Sequence, residues 1–302
     1  MVEARPRLKM DPWKDVERSI GAASGAPFAI ESRASVGGGC INECYVVRGA
    51  GRAWFVKLNV ATRADMFAAE AEGLDEIARS ATVRVPRPLC HGANEQASWL
   101  VLEHLELRPG DDRSMGRLGR GLACMHRVTG ARYGWHRDNT IGATPQVNTG
   151  SRDWIDFWGG QRLAFQLKLA ASRGHGGRLV AAGERLLAAL PSFFRGYTPP
   201  PSLLHGDLWS GNAGQAADGE PVIYDPAVYY GDREADLAMT ELFGGFPRSF
   251  YEAYGSKYPL DPGYATRKHL YNLYHVLNHF NLFGGGYGAQ AQRMIEQLLA
   301  VA

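Results

Sequence analysis

At about residue 105 the chain changes period, and few folds can absorb such a change. Before that point, β-branched and aromatic residues recur in short runs: "ECYVV", "AWFVKL", "VRVPRPLCHG" and "SWLVLEHLEL". Runs of this kind, punctuated by Gly and Pro, predict antiparallel strands, with "GAG" at 49–51 as a hairpin link. One helical stretch interrupts them, "RADMFAAEAEGLDEIARS", with Met66, Ala69, Gly73, Leu74 and Ile77 on one face. A shorter helix is expected from Asp11 to about Ile20, with Asp11 as cap and Pro12 at its first position. From about residue 114 the spacing is helical, beginning with Leu118, Leu122, Met125 and His126 in "MGRLGRGLACMHRV". Two short apolar runs break it, "SLLHGD" and "PVIYDPA", each a brief strand ending on an Asp. The expected fold class is α+β and bilobal. A small antiparallel β lobe with one main helix covers 1–104, and a larger, mostly helical lobe covers 105–302.

Composition narrows the partners. A formal net charge of +2 over 302 residues gives no reason to expect a nucleic-acid surface. The four Cys (40, 44, 90 and 124) form no CxxC pair and have no His at zinc spacing. A long chain poor in Cys fits a reducing compartment. The first 20 residues hold no apolar signal core, and no apolar run approaches the roughly 20 residues of a membrane span. The expectation is a cytoplasmic protein with no membrane and no nucleic-acid partner, its oligomeric state open.

The chemistry concentrates in "HGDLWSGN". Asn212 follows Asp207 by five residues, the D-x-x-x-x-N spacing of a protein-kinase catalytic loop. A loop of that length can send one side chain to a substrate hydroxyl and the other to a metal ion; the plain alternative is an Asx-rich turn. Asp225, at the end of "PVIYD", could chelate a hard cation such as Mg²⁺ bridging ATP phosphates, or merely end a strand before Pro226. Only six Lys occur among the 33 basic residues. Lys57, flanked by Phe55, Val56 and Leu58, is therefore conspicuous and needs a partner or a ligand unless its strand is an exposed edge. Glu70 on the following helix is the favoured partner, and Glu72 is the rival on another face.

Other positions are more ambiguous. Gly37, Gly38 and Gly39 could let the backbone approach phosphates, or form an ordinary Gly-rich turn. Cys40 beside them is either redox-active or simply small. Backbone groups near Glu103 and Leu105 could bond an adenine edge, or this is an ordinary strand end. Trp209 could stack on a sugar or pack its own loop. Asp236 is expected to hold the catalytic loop through backbone N–H groups. His91, His126 and His275 are expected to be core or surface residues.

A β lobe, a connector and a helical lobe with two strand–Asp units is a kinase-like layout. The stretches "GGGCIN", "FVKLN", "MFAAEAEGL", "DNTIG" with "PQVN", "LLHGDLWSGN", "YDPAVYYGDREADLAM" and "LFGGFPRSFYEAY" span about residues 35–255. They resemble the fructosamine kinase (ketosamine-3-kinase) family, within the protein-kinase-like and aminoglycoside-phosphotransferase-like superfamily. Aminoglycoside and choline kinases share the H-G-D and the later Asp, but seldom the Trp-Ser-Gly-Asn run. The resemblance implies ATP-dependent phosphorylation of the 3-hydroxyl of ketosamines, on small molecules or on proteins, followed by release of the amine. It implies Asp207 as catalytic base, Asn212 and Asp225 as Mg²⁺ ligands, Lys57 with Glu70 on the phosphates under glycines 37–39, and Trp209 beside the sugar. A different phosphotransferase of the superfamily, for an aminoglycoside, choline or a thiosugar, is the alternative. The chain departs from protein kinases in two ways. Only ten residues separate Asp225 from Asp236, and Gly206 stands where protein kinases have Arg, so gating by loop phosphorylation is not expected. The stretch "DNTIGATPQVN" is the expected contribution of 114–180 to the acceptor side.

Overall fold

The computed structural model describes residues 11–37 and 41–302. Five strands, β1 (Ser32–Val36), β2 (Glu43–Gly49), β3 (Arg52–Val60), β4 (Pro88–Ala93) and β5 (Ala97–Glu103), form one antiparallel sheet in the order β1-β2-β3-β5-β4. The tight turn from β2 to β3 is made by Ala50 and Gly51, both left-handed with φ of 50° and 68°. This is the backbone that matches the twist of a two-residue hairpin.

Side-chain alternation along these strands decides where the lone lysine points. Val56 and Leu58 on β3, with Trp99 and Val101 on β5, face one side and pack with Val47, Phe28, Val16 and Ile20. Val16 and Ile20 come from α1 (Trp13–Ser24). That helix starts one residue later than expected and runs four beyond Ile20, until Gly25 turns left-handed at φ 71°. Asp11 still accepts the Trp13 N–H, at 3.2 Å. The opposite parity, Leu100 and Leu102 with Lys57 between strand neighbours, faces α2 (Ala64–Arg79). Met66, Ala69, Gly73, Leu74 and Ile77 of α2 are all buried, the face its spacing predicts.

The remainder is mostly helical: α3 (Asp112–Met125), α4 (Trp154–Phe157), α5 (Phe165–Ser172), α6 (Arg178–Ala189), α7 (Glu234–Leu242), α8 (Arg248–Lys257), α9 (Tyr264–Phe283) and α10 (Tyr287–Leu299). A π-helical segment, Trp158–Ala164, joins α4 to α5. The reading of 114–180 as helical misses a hairpin, β6 (Asn139–Ile141) and β7 (Thr144–Gln146), with Gly142 left-handed in its turn. Three-residue strands are too short for a periodicity argument to detect.

The two strand–Asp units form two small ladders. Strand β8 (Ser202–Leu204) pairs with β11 (Tyr229–Gly231), and β9 (Ala213–Gln215) pairs with β10 (Pro221–Ile223). Both ladders are tied outward: in β9–β10, Val222 bridges Arg84 ahead of β4 and Gln215 bridges Arg108 after β5, and in β8–β11, Ser202 bridges Thr129 and Tyr230 bridges Gly134. Helix α2 is anchored as well. Arg137 pairs with Asp65 and Glu72, the Tyr230 hydroxyl meets Glu76 at 2.6 Å, and Arg63 donates to the Ala143 carbonyl at 3.2 Å. No helix among the described residues is long and apolar enough to cross a membrane.

Candidate active site

A cavity of about 600 Å³ opens where the sheet, the hairpin, the two ladders and α9 meet. Lys57, Glu70, Asp207, Trp209, Asn212 and Asp225 all line it. The Lys57 ammonium lies 2.6 Å from Glu70 Oε1 and 2.5 Å from Asp225 Oδ1. Glu70, not Glu72, is the lysine's helix partner, because Glu72 faces outward to His136 and Arg137. The Lys57 side chain is 3% exposed. Burial disfavours its charge, but the Asp225 and Glu70 carboxylates more than offset this and raise its pKa above the ordinary lysine value.

Asp225 projects from a left-handed backbone, φ 58°, directly before Pro226. A non-glycine residue held there stores strain, which is common where a side chain must be aimed. Its carboxylate remains 47% exposed to the cavity.

The loop carrying Asp207 is fixed from beneath. Asp236, in the first turn of α7, accepts the His205 N–H at 2.7 Å and the Gly206 N–H at 2.8 Å. His126 closes the arrangement, bonding Asp236 at 3.2 Å and the Tyr254 hydroxyl at 2.8 Å. His205 accepts the Asp207 N–H on Nδ1 at 3.2 Å, so its Nε2–H donates to the Tyr224 carbonyl at 3.0 Å. Gly206 is left-handed at φ 84°, and a Cβ there would lie 2.1 Å from the Ala227 carbonyl oxygen. No arginine could occupy that position. Gly206→Ala is expected to lose about 1–3 kcal/mol of stability and most turnover. Thermal melts and initial rates check this, and a variant with the parent's Tm would show that the loop can rearrange.

Asn212 Nδ2 donates to the Asp207 carbonyl at 2.9 Å and to its Oδ2 at 3.3 Å, while the Asn212 carbonyl accepts the Tyr224 N–H at 3.0 Å. The two Asp-bearing segments are thus laced together. Burial, and next the negative charge of Asp225, push the Asp207 carboxyl up to about 7 against the opposing Asn212 hydrogen bond. Trp209 packs its own loop and also faces the cavity. Its indole lies over Gly211, where a Cβ would come within 2.3 Å of the ring, and it also lines the cavity, edge to face with Phe243 at 6.0 Å.

Not every expected residue reaches this cavity. Gly37 is exposed at the end of β1, and Gly38, Gly39 and Cys40 lie outside the described residues. Glu103 ends β5 and Leu105 lies two residues beyond it, and neither lines the cavity; the Glu103 N–H donates to the Arg87 carbonyl at 2.8 Å. The hairpin supplies Asn139, Thr140, Ile141 and Gly142 to the wall. His275 is buried, as expected of a core residue, and it also lines the cavity, beside Asn278 and His279 of α9. The available signal is a polar stripe, Asn272, His275, Asn278 and Asn281, at every third position through the apolar and aromatic part of the helix.

The fructosamine kinase family model matches residues 12–301. A Synechocystis sp. protein provisionally named ketoamine kinase is 50% identical over 291 residues, covering 96% of this chain and 98% of that one. An Arabidopsis thaliana protein named protein-ribulosamine 3-kinase, chloroplastic, is 43% identical over 270 residues, covering 88% and 82%. A crystal structure from Haemophilus somnus 129PT, provisionally named fructosamine-3-kinase, superposes with a TM-score of 0.88 at 30% identity over 95% and 97% of the chains. A thermostable mutant of aminoglycoside phosphotransferase APH(4)-Ia shares the fold alone, with a TM-score of 0.62 at 16% identity. By the family match and by identity along nearly its whole length, the chain belongs to the fructosamine kinase family.

Proposed function

We propose that this protein transfers the γ-phosphoryl group of ATP to the 3-hydroxyl of a ketosamine, the Amadori adduct of a sugar and an amine. The observation that carries this reading is the buried Lys57 ammonium held between Glu70 and Asp225, in the same cavity as Asp207. The names of the relatives support the acceptor class.

The donor set suits magnesium. Asp225 offers a half-exposed carboxylate, and Asn212, whose Nδ2 is turned to Asp207, has its amide oxygen left for a ligand. Among the described residues no cluster of three or more acidic, His or Cys side chains could hold a metal by itself. That fits a cation that keeps several waters and shares its ligands with phosphates. Bound there, Mg²⁺ would neutralise charge on the phosphates that are cleaved. Lys57 contributes a fixed positive charge for the phosphates, and Glu70 keeps it aimed. Asp207 accepts the proton of the acceptor hydroxyl, with Asn212 and the Asp236-held backbone fixing its position. Trp209 and the hairpin border the sugar. Most of the catalysis is positioning and electrostatics, as for other phosphoryl transfers. The phosphorylated adduct then releases its amine.

Nucleotide consumption measured with ribulosamine, fructosamine and an aminoglycoside tests the assignment. Turnover is expected with the ketosamines, with a larger kcat/KM for ribulosamine. Turnover with the aminoglycoside alone would overturn it.

A further inference from the structure

Four histidine rings lie in or beneath the active site, and they differ in how their nitrogens are used. His126 and His205 have both nitrogens bonded. His279 Nδ1 donates to the His275 carbonyl at 2.8 Å. The His275 side chain is 6% exposed, and its Nδ1 is buried with no partner. Leaving a ring nitrogen shut away from both water and protein is costly, and native structures seldom tolerate it without a use.

The nearest carboxylate oxygen gives the use. His275 Nδ1 lies 4.0 Å from Asp207 Oδ1, while the other oxygen, Oδ2, already faces Asn212 Nδ2 at 3.3 Å. Four ångströms is too long for a hydrogen bond, but it is within one small rotation of the Asp207 side chain. Contacts of this kind are commonly long in free enzymes and tighten during reaction. We propose that His275 is a positioning residue for Asp207: its Nδ1–H closes onto Oδ1 while Asn212 holds Oδ2, fixing the carboxylate plane toward the acceptor hydroxyl. This rests on the reading of Asp207 as the base.

The surroundings favour a donor of this type. Burial, and then His279 and Arg162, hold the His275 pKa down to about 3, so the ring stays neutral. It can therefore carry a proton on Nδ1 without bringing a second charge beside Asp225 and Asp207. The ring is carried on a helix held on both sides. Asn278 donates to the Ile141 carbonyl of the hairpin at 3.3 Å, and Asn281 donates to Gln166 of α5 at 2.7 Å. A rigid mount is what a positioning contact requires.

The test uses steady-state kinetics and melting curves on three variants of the full chain with ATP and a ketosamine. His275→Phe keeps a flat ring without a donor and is expected to lower kcat by about 10²-fold, with both KM values within about twofold. His275→Asn restores an N–H near the same place and is expected to recover about a tenth or more of the lost rate, and it serves if the Phe variant fails to fold. Equal losses in both variants, or kcat preserved in either while the acceptor KM rises, would overturn the proposal, the latter by making His275 a direct sugar contact. Asp207→Asn is run alongside: if it retains turnover, the reading of the base fails, whatever His275 does.

Discussion

Replacing Asp207 with Ala is expected to lower kcat by about 10³- to 10⁴-fold while leaving nucleotide affinity nearly unchanged. The carboxylate takes a proton only as the acceptor oxygen attacks, so its loss falls on the transition state and not on ATP binding. Single-turnover rates and a nucleotide titration separate the two effects. Near-parental turnover would move the base elsewhere. The same residue carries a stability signature of opposite sign. In the folded protein its carboxyl is pushed up to about 7, above the ordinary 3.8, by burial and by Asp225. The folded state therefore holds a proton that the unfolded chain releases. Stability from this group is greatest below about pH 4 and is lost as pH rises through about 7. Asp207→Asn, which keeps the shape and has no charge to bury, is expected to melt above the parent at pH 8 in magnesium-free buffer, by up to a few kcal/mol. The advantage should vanish near pH 4. An inactive variant that is also more stable at alkaline pH is the expected mark of a site held against its own folding preference.

Lys57→Met is the second large effect. It removes the ammonium and keeps most of the stem. Loss of one fixed charge aimed at a reacting phosphate costs about 10²- to 10³-fold in kcat/KM for nucleotide. The structural cost is separate. Glu70 is 11% exposed, and without Lys57 it is a buried carboxylate with no cation. Removing one partner of such a pair typically destabilises by about 3–5 kcal/mol. The Asp225 half of the arrangement adds less, because that carboxylate is half in solvent. Lys57→Met with Glu70→Gln should regain most of the stability and none of the activity, since the second change removes the unpaired charge without returning the first. Recovery of both, or of neither, would show that the pair does not act as described.

Much of the site is readable from the chain because its members sit at the ends of short local units. Asp207 and Asn212 share one loop, and Asp225 ends a strand thirteen residues later. Lys57 is conspicuous because strand neighbours on both sides are apolar. Glu70 is favoured over Glu72 because the two point to different sides of one helix, and only one side meets the sheet. Gly206 reads as the absence of an arginine, whereas its φ and the Ala227 carbonyl show why no side chain fits. The place of His275 at the cavity is not legible in the sequence, for a different reason. Its significance lies in what it lacks and in what it approaches across 68 residues of chain, and neither shows in local spacing. The β6–β7 hairpin is not legible in the sequence because each of its strands is only three residues long.

Local order alone therefore determined the lobes, the strand–Asp units and the identities of the charged residues, because side-chain period and turn chemistry are properties of neighbours along the chain. Which charges meet was left to tertiary structure. Lys57 reaches Asp225 across 168 residues of sequence, whereas the grip of Asp236 on the Asp207 loop, thirty residues earlier, is already expected from the sequence. The physical reason is that electrostatic and hydrogen-bond energies depend on distance in space and on exclusion of water, and both exist only once the sheet, the ladders and α9 have closed around a common cavity.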